Sequence, residues 1–91
     1  SVPEDWAEIY AGATEPEQAI IKLLADRGLD KPDLGFESAG GIPLSITWPS
    51  RHLAIRLDIA DDELDELMAE GWIIIPADIE AIEEALAERI S

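Results

Sequence analysis

The chain predicts an α/β fold: a small mixed four-stranded sheet with flanking helices, plus a short N-terminal helix. Residues 41–59 alternate apolar and polar side chains in two runs split by a short turn, the period of a hairpin with a buried face. Residues 72–75 are continuously apolar, as in a strand covered on both faces. Around these runs, apolar residues recur at helical spacing behind acids or capping residues. A length of 91 residues suits one domain with one core, its main body at about 14–90 and its N-terminal helix at about 3–11.

Taken in order, Pro3 with the acids Glu4 and Asp5, and Gly12 beyond, predict the first short helix. Trp6, Ile9 and Tyr10 fall on one side of it, to pack as a lid on the body or to form an edge for a partner. Packing is the preferred reading. Thr14-Glu15-Pro16-Glu17 has capping-box spacing, so a second helix should start there and run to about Arg27, with Gly28 as its left-handed stop. Ile20, Ile21, Leu23 and Leu24 supply its apolar stripe. Residues 29–41 contain Pro32, Gly35, Gly40 and Gly41 and predict a loop with at most one short strand near 35–38.

In the hairpin, Ile42, Leu44, Ile46 and Trp48 are expected on one buried face, continued by Leu53, Ile55, Leu57 and Ile59. A turn at Pro49, Ser50, Arg51 and His52 pairs Trp48 with Leu53; counting back sets Leu44 opposite Leu57 and Ser45 opposite Arg56, with Asp58 close by. Asp61, Asp62 and Glu63 open a third helix carrying Leu64, Leu67 and Met68, and Gly71 ends it. After strand 72–75 and Pro76, Asp78 caps a last helix whose stripe is Ile79, Ile82, Leu86 and Ile90, with Glu80, Glu83, Glu84 and Glu88 facing water. Strand, helix, buried strand predicts a parallel crossover.

The formal net charge of −15 argues against a domain that grips nucleic acid alone, because phosphate binding relies on clustered Lys and Arg and only six stand scattered among 21 acids. It favours basic partners, although simply solvated acidic helix faces are the preferred reading. No apolar run reaches the roughly 20 residues that span a bilayer, and the first residues lack the basic and apolar regions of a signal peptide. A soluble, cytoplasmic protein is therefore expected. Without Cys there are no disulfides or thiolate metal sites.

This element order, with SITWPSRHLAIRLD at 45–58 and EGWIII at 70–75, resembles the core of the PD-(D/E)XK nuclease-like superfamily, most closely its very-short-patch-repair endonuclease-like branch. The resemblance implies a restriction-endonuclease-like αβββαβ core, a type that also occurs at the ends of larger bacterial proteins, some helicases among them. It also implies a site. Ser45 stands where the family's metal-binding Asp is expected, Arg56 where its Glu is expected, Asp58 matches the second acid of that strand, and Glu17 falls near the first-helix Glu.

Phosphodiester hydrolysis there uses carboxylates on adjacent strands to hold a divalent cation that polarises the phosphate and activates a water. Ser45 brings no charge to such a cation, and Arg56 brings a fixed positive one. The degenerate site Glu17, Ser45, Arg56 and Asp58 therefore predicts no catalytic residues, metal or cofactor. Arg56 has two readings: contact with a phosphate or partner carboxylate, or an ion pair with Asp58 and Glu17 that fills the metal position. The ion pair is preferred. His52 reads as a surface histidine, the acids of 61–66 as helix-start charges, and Trp48 and Trp72 as core anchors.

The resulting expectation is a pseudoenzyme: a non-catalytic accessory or protein-interaction domain whose partner is another protein or the remainder of a larger nucleic-acid-processing protein such as a helicase, with no membrane contact. The alternatives are an acidic inhibitor that mimics nucleic acid in a basic groove, and a metal-dependent DNA endonuclease with displaced carboxylates.

Overall fold

The computed structural model describes residues 6–87. Helices α1 (Ala7–Ala11) and α2 (Glu15–Asp26) lead into strands β1 (Asp33–Glu37), β2 (Pro43–Trp48) and β3 (Leu53–Ile55), then α3 (Asp61–Ala69), β4 (Ile73–Ile75) and α4 (Ile79–Ala87). The strands form one four-stranded sheet in the order β1-β2-β3-β4. β1–β2 and β2–β3 are antiparallel, and β3–β4 is parallel across the α3 crossover. The expected mixed α/β sheet with flanking helices is what the chain forms. Pro3, Glu4 and Asp5 of the first predicted helix, and Glu88 and Ile90 of the last, lie outside the described residues.

Local chemistry fixes the helix ends. Glu17 Oε1 accepts from the Thr14 N–H at 2.9 Å, closing the first turn of α2, and Gly28 takes φ +66° past its end. Glu63 does the same for α3, accepting from the Ala60 N–H at 3.0 Å, and Asp78 Oδ2 accepts from the Ala81 N–H at 3.1 Å at the start of α4. The hairpin turn is a 3-10 segment, Pro49–Arg51, with His52 left-handed behind it, and Trp48 pairs with Leu53 as the sequence predicts.

The sheet is sandwiched between two cores. On one side Ile20, Ile21 and Leu24 of α2 and Ile82 and Leu86 of α4 bury Ile46, Trp48, Leu53, Ile55 and Ile75, with Trp6 inserted at the edge. Ile9 and Tyr10 pack beside Trp6, so the N-terminal segment is a lid on the body. On the other side Leu67 of α3 packs with Ile42, Leu44, Ala54, Ile59 and Trp72. Trp48 and Trp72 are core anchors: the Trp48 Nε1–H donates to the Asp30 carbonyl at 3.0 Å, and the Trp72 ring meets Phe36 edge-on at 5.7 Å.

Three expectations about the strands need correction. Leu44 and Ile46 are buried on different sides of the sheet, although strict alternation puts them together. The change coincides with Gly35, which the register sets opposite Ser45 and which holds φ +71° inside β1, a conformation that rotates the strand locally. The last predicted strand is covered on only part of its surface, because Ile73 on the edge strand remains 56% exposed. And β3 stops at Ile55, four residues before the predicted end at Ile59.

Candidate functional site

The early end of β3 decides where the predicted site residues go. The Arg56 N–H donates to the Ile75 carbonyl at 2.8 Å as the final rung toward β4, after which Asp58 takes φ +57° and the chain bends away from β2. The Arg56 side chain holds that bend closed: its Nε and an Nη both donate to the Ile59 carbonyl, at 3.1 and 3.0 Å. The same Nη pairs with Asp61 Oδ1 at 2.8 Å in the first turn of α3.

Arg56 therefore neither sits opposite Ser45 nor neutralises Asp58 and Glu17. Its charge is spent on the loop's own carbonyl and on the α3 side of the sheet. The expectation failed because it extended the hairpin register past the rung at which the strands separate; the ladder between β2 and β3 holds only Thr47–Ala54 and Trp48–Leu53.

The other three residues do come together. Ser45, half-buried in β2, looks toward the start of α2, where Pro16 occupies the first turn and Glu17 the third helical position. Together with Thr14, Leu57 and Asp58, these residues line an open surface cleft of about 260 Å³. Thr14, Pro16 and Leu57 carried no functional expectation. Thr14 and Pro16 had been legible only as helix-start residues, and Leu57 as one more member of an alternating face.

What the cleft can do follows from its donors and acceptors. One oxygen of Glu17 is engaged with the Thr14 N–H. The Asp58 carboxylate and the Ser45 hydroxyl have no hydrogen-bond or ion-pair partner among the described residues. Two acidic and two hydroxyl-bearing residues thus line the cleft together with the apolar Pro16 and Leu57. Among the described residues no three His, Asp or Glu converge as a metal-holding group, and hard divalent cations ask for six or more oxygens.

His52 is exposed, with its ring tilted against Trp72 at 5.0 Å, and has no role in the cleft. A second pair of acids, Glu66 of α3 and Glu70 just past its end, crowds the Gly40 bend, and Glu70 Oε1 is buried without a partner among the described residues. Among the described residues no helix is long and apolar enough to cross a membrane. No protein-family model, curated protein or solved structure matches the chain.

Proposed function

We propose that the protein is a non-catalytic accessory domain with a degenerate PD-(D/E)XK nuclease-like core, which works by binding a protein partner or the remainder of a larger nucleic-acid-processing protein. One observation carries this reading: at the position where a nuclease of that type concentrates carboxylates, this chain offers a serine, and the arginine just past the end of the neighbouring strand braces its own loop. The element order helix, three strands, helix, strand, with β4 parallel to β3, supports the resemblance. Glu17 and Asp58 alone make a poor cage for a cation that must polarise a phosphate.

The distribution of acids supports an accessory domain over a nucleic-acid mimic. A mimic needs its charge on one continuous face. Here Asp61, Asp62, Asp65 and Glu66 are exposed on α3, whereas Glu15 on α2 and Glu80 and Glu84 on α4 are exposed on helices that cover the opposite side of the sheet.

The test has two arms. Supercoiled plasmid incubated with the protein and Mg²⁺ or Mn²⁺ should stay supercoiled; cleavage that disappears in Asp58→Ala would overturn the proposal in favour of a nuclease with displaced carboxylates. Affinity capture with the protein as bait should recover a specific partner, and recovery of chaperones alone counts against an interaction role.

A further inference from the structure

We infer that the open edge of β4 is where the protein partner docks, as an extended segment with Lys or Arg outside an apolar centre that adds a fifth strand to the sheet. This rests on the accessory-domain reading and names the surface and the chemistry by which that partner is held.

The two edges of the sheet differ in how they meet a further strand. β1 forms one edge, with the exposed acids Asp33 and Glu37 at its ends and the left-handed Gly35 at its centre, charges and a kink that discourage addition. β4 forms the other edge and carries neither: it is Ile73–Ile75, with Ile73 56% exposed. The Ile73 N–H donates to the His52 carbonyl at 2.7 Å, and the Ile75 carbonyl accepts from the Arg56 N–H at 2.8 Å. A residue of a parallel strand turns both of its backbone groups to the same neighbour, so Ile73 and Ile75 face β3 while Ile74 presents its N–H and C=O to the open side. No strand meets them there among the described residues. That edge is a template for a backbone that brings its own N–H and C=O.

What covers the edge follows from charge and from one proline. Residues 57–87, which supply α3, β4 and α4, hold eleven acids and no Lys, Arg or His. Acids stand on either side of β4 in the chain, Glu70 before it and Asp78 after it. A segment with cations flanking an apolar centre complements that surface, its centre covering Ile73. A second copy of this chain does not. Its own charge of −15 repels, and two-fold pairing about Ile74 would set Pro76, which has no N–H, against the Trp72 carbonyl. Nucleic acid, itself an anion, is repelled likewise.

The test is an amide-shift titration of the ¹⁵N-labelled protein with the probe acetyl-Lys-Lys-Val-Ala-Val-Lys-Lys-amide. The control is the same peptide N-methylated at its central Ala, which removes the N–H that meets the Ile74 carbonyl in an antiparallel pairing. Saturating shifts should centre on Ile73, Ile74 and Ile75, with exchange of the Ile74 amide hydrogen slowed. The N-methyl peptide should bind about tenfold more weakly, the loss of one backbone hydrogen bond. Ile73→Lys should weaken binding at least as much, because it puts a like charge on the edge. Leu23→Lys, the same change of charge at a side chain 42% exposed on α2, should leave binding within about twofold at 0.15 M salt, where distant charges are screened. Should Ile73→Lys fail to fold, the N-methyl comparison decides on the unaltered protein. Equal binding of the N-methyl peptide, equal effects of the two lysines, shifts among the acids of α3 or α4 without Ile74, or no saturable response would overturn the inference. So would an Ile74 amide protected by dimerisation before any peptide is added. Those outcomes leave the accessory-domain reading standing, because a specifically captured partner then docks elsewhere; failure to capture one removes that reading whatever the peptide does.

Discussion

Gly35 is where a single residue does most to shape the site. Its φ of +71° lies where L-residues with a Cβ are disfavoured, and nothing stands within 4 Å of the place a Cβ would occupy. Gly35→Ala therefore adds backbone strain without a clash, and urea unfolding should show a loss of about 1–2 kcal/mol, the cost of the left-handed region for a residue with a side chain. Gly12 is the matched control. It ends α1 at φ −90° and has only ordinary contacts at 3.8 Å and beyond, so Gly12→Ala should be neutral or stabilise by about 0.5 kcal/mol through the unfolded chain. Equal effects at the two positions would show that the Gly35 backbone is not constraining β1. A large loss at Gly35 should also move the amide signals of Ser45, its register partner across the ladder.

The elements divide into those that local chemistry specifies and those that only tertiary contacts can. α2, α3 and α4 were legible because each carries its own start signal, Glu17, Glu63 and Asp78, within a few residues of an apolar stripe. The hairpin turn was legible for the same reason. What alternation could not reveal was where β3 stops, since Leu57 and Ile59 continue its pattern while the Arg56 side chain bends the backbone under them. Three of the four expected site residues still gather because Glu17 and Ser45 are placed by elements that formed as read, and Arg56 is lost because its position depended on an extrapolated pairing. α3 is held to the sheet chiefly through Leu67, which is fully buried among Leu44, Ala54, Ile59 and Trp72. Leu67→Ala should cost about 2–5 kcal/mol, as core truncations of this size do. Met68→Ala, at a position 59% exposed, should change stability by less than about 0.5 kcal/mol. Denaturation midpoints for the pair give the comparison, and a small loss at Leu67 would mean that α3 is pinned by some other contact.

At the scale of the whole molecule, charge sets the conditions under which these contacts suffice. A net charge of −15 is carried on a body with extents of 37 × 31 × 20 Å. At about 0.01 M ionic strength the screening length is roughly 30 Å, so carboxylates on opposite sides of the sheet repel one another; at 0.15 M it falls to about 8 Å and only neighbours interact. Unfolding relieves this repulsion by spreading the charges along an expanded chain, so the folded state is penalised most at low salt. Opposing this are the ion pairs Arg27–Glu83, Arg51–Asp30 and Arg56–Asp61, which salt weakens. Of the six groups in these pairs, five have side chains at least 37% exposed, which places the individual worth of the pairs at about 0–1 kcal/mol. Repulsion among 21 acids against six Lys and Arg should outweigh them. Raising KCl from about 0.01 to 0.15 M should therefore raise the thermal midpoint by several degrees, on the scale of roughly 4–8 °C per kcal/mol for a domain of this size. The osmolality-matched control in sucrose separates screening from the exclusion of solute from the protein surface, which stabilises without regard to charge. A midpoint that falls with KCl would mean that the three ion pairs, rather than the spread of like charge over both sides of the sheet, dominate the electrostatics of the fold.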